Sequence, residues 1–278
     1  MEIKGWKYYN HAAIPSTAPH EEPNVKPIED KSIWNIEGKS APLLARWTTD
    51  FDCGHETNWW YVIKDIPFDI AELKAKRRYE VNKGKKNFEV KEIVATDFTE
   101  KLLEVTLAAY SSWPEKYRPQ IEKEQFISSV KKWKWYKVLG IFNIEDKTLC
   151  GYALLSKQGR CVEFNVLRVN PKYERMGINA AAVAAILDMH EGFLNNGGYI
   201  CDGARSIAHE TAFQDYLEKY FGFRKAYCKL NIKYNPKIKW IIKLLYPIRN
   251  ILLKFDNIGK VHQINAVLKM EKINRVKG

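Results

Sequence analysis

The stretch from Cys161 to Glu191, CVEFNVLRVNPKYERMGINAAAVAAILDMHE, restricts the fold more than any other part of the chain. It opens as a β-branched and aromatic run and turns at Asn170-Pro171. It then passes a single glycine, Gly177, and continues as an alanine-rich helix expected from about Met176 to Leu194. A strand, tight turn and helix in this order present free backbone N–H groups and the positive end of a helix dipole, an arrangement suited to an anion.

The elements around this stretch follow from hydrophobic periodicity. WWYVIKD, from Trp59 to Asp65, reads as a strand, and Asp69 is placed to cap a helix from Ile70 to about Asn82 that stops at Gly84. Asn87 to Ile93 alternates as a strand does. Helices are expected from Asp97 to Tyr110 and from Gln120 to Trp133. Strands from Tyr136 to Ile144 and from Thr148 to Ser156 flank Glu145-Asp146-Lys147, a hairpin turn. Val162 to Val169 is the next strand, Tyr199 to Cys201 a short buried one, His209 to Tyr220 a helix and Phe223 to Lys233 a last strand. This succession predicts an α/β fold with one mixed sheet, antiparallel in the middle and parallel at one crossover. Residues 1–58 are expected to be an extended surface segment pinned by aromatics such as Trp6 and Trp34. Residues 59–86 form a strand-helix extension, residues 87–235 the principal domain, and residues 236–278 a basic amphipathic segment.

Charge is unevenly spread over the 278 residues. The formal net charge is +12, and from Arg224 onward 14 Lys and Arg face only Asp256 and Glu271. A basic tail on a neutral body points to an anionic partner, either a lipid surface or a nucleic acid. In PKIKWIIKLLYPIRNILLKF, Lys239, Lys243, Asn250 and Lys254 fall on one stripe with Pro247 between them. Such a segment suits a membrane interface, or a helix docked on the sheet with its lysines outward. A second basic run, Lys74 to Lys86, suits a phosphate-bearing substrate or a solvated face. The five cysteines are widely spaced with no C-x-x-C pair, and no apolar run is long enough for a membrane span. The expectation is a reducing cytoplasmic location, peripheral to the inner face of the membrane if the tail binds there.

The segment VNPKYERMGIN followed by a helix resembles motif A of the GNAT superfamily of N-acyltransferases, and the element order from Asn87 to about Lys233 is the GNAT order. The resemblance implies a GNAT-like acyl-CoA N-acyltransferase fold with an N-terminal extension and C-terminal basic helices. It implies acyl-CoA or acetyl-CoA as cofactor, bound at Leu167, Val169, Arg175, Met176, Gly177, Ile178 and Asn179. Two residues depart from the motif. Glu174 sets a negative charge where a pyrophosphate belongs, and Asn179 adds a side chain where backbone and phosphate approach. The helix with KRRYEVNKGKK, leading into FEVKEI, is similar to a segment of the Fem-type aminoacyl transferases. These draw on aminoacyl-tRNA and lack a coenzyme A motif, so tRNA is the partner in that alternative. A non-catalytic GNAT-fold module at a membrane surface is a third reading.

Acyl transfer to an amine needs a base. Glu163 is the candidate, on the strand ahead of the motif, with Asn165 on the same expected face. Strand alternation groups Glu163, Asn165 and Leu167 against Val162, Phe164 and Val166; a half-exposed strand accounts for the same pattern. Four residues before Gly222-Phe223, where many GNAT enzymes carry a tyrosine acid, stands Glu218, flanked by Tyr216 and Tyr220. Asp202, Arg205, His209 and Glu210 follow a short buried strand, near where sites form in such sheets. His209 is a second catalytic candidate, and Asn165, Asp202, Arg205 and Glu210 are candidate substrate ligands; an Asp202–Arg205 pair fastening the loop is the structural alternative. No metal is expected, since His209 and Glu210 are adjacent and lack partner spacing. The acceptor expected from these residues is an amine of a small molecule or of a glycan or lipid-linked precursor.

Overall fold

A computed structural model describes residues 3–38, 40–113, 115, 118–207 and 212–276. In chain order the first elements are β1 (Trp6–Tyr9), β2 (Ala12–Pro15), α1 (Lys26–Glu29), β3 (Leu44–Thr49) and β4 (Trp59–Lys64). Then come α2 (Ala75–Asn87), β5 (Phe88–Glu92), α3 (Thr99–Ser111), α4 (Lys123–Val130), β6 (Lys137–Asn143), β7 (Leu149–Gln158) and β8 (Cys161–Val169). The rest are α5 (Ile178–Met189), α6 (Glu191–Asn195), β9 (Tyr199–Ala204), α7 (Ala212–Phe221), β10 (Arg224–Tyr234), α8 (Pro236–Leu245), α9 (Arg249–Leu252) and α10 (Gly259–Arg275). The α/β class read from the sequence is the class found. Two compact units form, one from Ile63–Gly203 with Phe213–Arg224, the other from Met1–Val62, Ala204–Ala212 and Lys225–Gly278.

In the first unit β5, β6, β7, β8 and β9 are neighbours in that order. The pairs up to β8 are antiparallel, and β9 joins β8 in parallel after the crossover through α5. One face of the sheet buries Leu102, Val105, Val130, Val138, Tyr152 and Leu154 beneath α3 and α4. The other buries Phe88, Ile141, Cys150, Ile178 and Ala181 beneath α5. The β6–β7 hairpin closes as its sequence demands. Lys147 takes φ 57°, and the Asp146 carboxylate accepts from the Thr148 amide at 2.9 Å.

Three expected boundaries shift, each for a local reason. Asp69 caps only a 3-10 turn, Ile70–Glu72, and extended backbone at Leu73 and Lys74 separates it from α2. Gly84, read as a helix stop, lies inside α2, where the missing Cβ admits a neighbouring backbone. The helix after Gly177 breaks at His190, whose Nδ1 bonds the Ile186 carbonyl at 2.7 Å, so α5 and α6 replace one longer helix.

In the second unit β1 and β2 pair antiparallel, β2 and β3 parallel, and β3 and β10 antiparallel. The extended surface segment expected at the N-terminus is instead a folded part of this unit with its own core. Trp6, Ala13, Ile28, Ile33 and Ala45 are buried together. Trp6 belongs to that core, and Tyr8 and Trp34 pack against it. Among the described residues no helix is long and apolar enough to cross a membrane.

Candidate functional site

The β8–α5 turn is built as its residues dictate. The Asn170 side chain accepts from the Lys172 amide at 3.1 Å, Pro171–Met176 forms a 3-10 turn, and Gly177 closes it at φ 87°, ψ 23°. The left-handed conformation explains the glycine. Helix α2 lies directly on this turn. A Cβ on Gly177 would stand 2.8 Å from the Glu80 carbonyl and 3.0 Å from the Gly84 nitrogen, and one on Gly84 would overlap the Gly177 carbonyl. Lys83 Nζ donates to the Arg175 carbonyl at 2.8 Å, and Asn87 Nδ2 to the Met176 carbonyl at 3.2 Å.

Of the expected cofactor positions, Gly177 and Ile178 are therefore buried, Met176 and Asn179 are half-buried, and only Arg175 is exposed. The side chains of Leu167 and Val169 pack into the core beneath α5. A pyrophosphate at the start of α5 needs an open face over Gly177. Here that space holds the backbone of α2, so the turn does not fit the group.

Strand β8 carries a bulge. Leu154 pairs with Val166 and Leu155 with Phe164, which leaves Asn165 without a partner residue on β7. The extra residue reverses the alternation. Val166 joins the core under α3, while Leu167 turns to the opposite face, away from Glu163. The expected grouping of Leu167 with Glu163 and Asn165 is thus corrected. Asn165 and Glu163 do meet, Nδ2 donating to Oε2 at 3.3 Å.

The parallel pairing of β8 with β9 runs from Cys161–Tyr199 to Glu163–Cys201. Residues paired in parallel strands point the same way, so Asp202, next along, faces away from Glu163. Gln214 of α7 donates to Asp202 on that side. Burial pushes the Asp202 carboxyl up to about 7, with the Gln214 hydrogen bond opposing the shift. A carboxyl poised there holds or releases a proton near neutrality. Arg205 has its partners within its own unit. It donates to the Asn58 carbonyl at 2.7 Å and lies 4.4 Å over the Trp60 ring. His209 and Glu210 lie outside the described residues.

On the Glu163 face, beneath α3 and α4, a groove of about 290 Å³ is lined by residues including Tyr110, Gln120, Tyr152, Val166 and Arg168. Arg168 donates to the Tyr110 hydroxyl at 3.0 Å and stands 5.0 Å over that ring. Thr106 gives its hydroxyl proton to the Leu102 carbonyl at 2.6 Å and so accepts from Tyr152 at 2.8 Å. Burial raises the Tyr152 phenol. The sequence reading missed this groove because the bulge hides that Val166 and Arg168 share a face with Glu163. A charged residue late in an apolar strand was the available signal.

A second cleft, about 430 Å³, opens at the start of α2 and the end of α7, with Lys64, Lys74, Lys76, Arg77 and Lys219 among its lining residues. Lys64 is 3% exposed; burial lowers its ammonium, and Glu72 and Asp65 counter this. Arg77 pairs with Glu80 and lies 3.5 Å over the Tyr220 ring. Tyr216 is stacked on Phe213, and burial raises its phenol to about 12; Glu218 lines the cleft.

The β5 to β9 order, antiparallel up to β8 and parallel at β9 after the crossover through α5, is a GNAT-like α/β fold. No protein-family model and no curated protein matches the chain. Among solved structures, the chain is similar to L-PGS from Bacillus licheniformis at 11% identity, covering 86% of this chain and 83% of that one, with a TM-score of 0.49. It is similar to the C-terminal domain of a putative lysylphosphatidylglycerol synthetase from Agrobacterium fabrum at 12% identity, covering 86% and 82%, with a TM-score of 0.48. An N-acetyltransferase from Thermoplasma acidophilum in complex with coenzyme A matches at 21% identity over 38% of this chain and 74% of that one, with a TM-score of 0.28.

Proposed function

We propose that the chain is a GNAT-fold transferase that moves an aminoacyl group from a charged tRNA to an amine. The observation that carries this reading is the closure of the β8–α5 turn by Gly84 of α2. A donor that cannot set its phosphates on Gly177 needs cations elsewhere, and the Lys64–Arg77 cleft and the exposed Lys85 and Lys86 supply them. An acyl-CoA donor, the reading motif A suggests, lacks that seat.

The acceptor amine, on a small molecule or a glycan or lipid-linked precursor, enters the groove beside Arg168. Glu163, oriented by Asn165, takes the ammonium proton. The amine nitrogen then attacks the ester carbonyl, the new C–N bond forms, and the C–O bond to the ribose breaks. The leaving oxygen takes up a proton. Asp202 belongs to the opposite face of the sheet, and in this reading it serves the donor side.

Binding of tRNA over a salt series tests the donor. Affinity is expected to fall steeply as salt rises, while calorimetry with acetyl-CoA shows no heat of binding. Glu163→Gln is expected to slow transfer from aminoacyl-tRNA roughly 100-fold or more with tRNA affinity unchanged. Micromolar binding of acyl-CoA together with salt-independent, weak tRNA binding would overturn the proposal.

A further inference from the structure

The segment after β10 carries an unusual surface. Helix α8 ends at Leu245, the chain turns through a 3-10 step containing Pro247, and α9 and a second 3-10 turn run to Phe255. Its large apolar side chains point outward: Trp240 is 68% exposed, Leu244 73%, Ile251 56% and Phe255 50%. Within α8 only Ile242 is buried. A helix docked by its apolar side with lysines outward, one of the two sequence expectations, would show the reverse.

Cations accompany the apolar residues. Lys239, Lys243 and Lys254 are exposed along the same segment, and the Lys243 ammonium stands 5.3 Å from the Trp240 ring. Apolar side chains of this size gain nothing from water and little from a nucleic-acid backbone. Exposed together with lysines, they match a surface that is negatively charged outside and hydrocarbon just beneath. At ten residues α8 is too short to span such a layer and suited to lying in it. We infer that the segment Pro236–Phe255 docks on an anionic lipid bilayer, with Trp240 and Leu244 entering the headgroup boundary and Lys239 and Lys243 at the phosphates. This surface stands independently of the transferase reading.

The test is co-sedimentation of the full chain with vesicles of phosphatidylglycerol and phosphatidylcholine, against vesicles of phosphatidylcholine alone. Anionic vesicles are expected to bind at least about tenfold more strongly, and high salt to weaken the binding. The double variant Trp240→Ser, Leu244→Ser should lose at least about tenfold in affinity with an unchanged circular dichroism spectrum, since both side chains are exposed. Lys239→Glu with Lys243→Glu should abolish the preference for anionic vesicles. The tryptophan emission difference between the full chain and Trp240→Phe should shift to the blue on vesicle addition. Equal binding to both vesicle types, or a double variant that binds like the parent, would overturn the inference. So would self-association that the double variant removes in the absence of lipid, or loss of tRNA binding without loss of vesicle binding.

Discussion

Gly84 of α2 and Gly177 of the β8–α5 turn meet backbone to backbone, with no side chain between them. Each glycine serves the other: one needs a left-handed φ of 87°, and both need to lack a Cβ. Gly84→Ala must lift α2 from the turn, and the rigid partner is a carbonyl that cannot swing away. A loss of about 1–3 kcal/mol in denaturant unfolding is expected. Gly192, in α6 with nothing within 4 Å of its missing Cβ, is the control. There Gly→Ala should be neutral or stabilising by up to about 1 kcal/mol.

Asp202 makes stability depend on pH. Its carboxyl titrates at about 7 in the folded chain against 3.8 in the reference state, so the folded state holds the proton over that interval. Stability is then highest below the lower value and falls as pH rises through the window toward 7. Asp202→Asn should remove this slope and stand above the parent at pH 8 by on the order of 1–2 kcal/mol. Urea unfolding at pH 5 and pH 8 measures it; parallel curves for the two proteins would refute the assignment.

The Thr106–Tyr152 pair should respond unequally to its two truncations. Tyr152→Phe removes a donor and leaves the Thr106 proton on the Leu102 carbonyl, at a cost of about 1 kcal/mol. Thr106→Val strands the buried Tyr152 hydroxyl and should cost roughly 2–3 kcal/mol. Thermal melts of both variants give the order, and equal losses would mean that the hydroxyl finds another partner.

Arg168 lines the groove and donates to the Tyr110 hydroxyl and to the Leu167 carbonyl. Lysine cannot make both bonds from a planar fork. Arg168→Lys should therefore raise the acceptor KM about tenfold, equivalent to ~1.4 kcal/mol, with kcat within about twofold of the parent. Steady-state kinetics at varied acceptor concentration distinguishes this from a loss of folded protein, which would lower kcat alone.

Much of the architecture was legible because it is local. The continuous apolar runs of β6 and β7, the turn at Glu145-Asp146-Lys147 and the alanine run of α5 mark elements buried on nearly every side, and the order of strands and helices follows. At the N-terminus local signals were poor: strands of four residues among prolines carry too little periodicity to be told from extended surface chain, and only the buried Trp6 and Ile33 reveal the core.

Local patterns in the chain specify the mixed α/β class, the strand-turn-helix around Gly177 and the concentration of positive charge from Arg224 onward. Tertiary structure alone decided three things: that α2 fills the space above Gly177, that Leu167 and Glu163 part company, and that the apolar side chains of α8 point outward. The physical reason is common to all three. A close backbone approach, a bulge and an uncovered face are each defined by what lies across from a residue, and a neighbour distant in sequence leaves no imprint on local spacing.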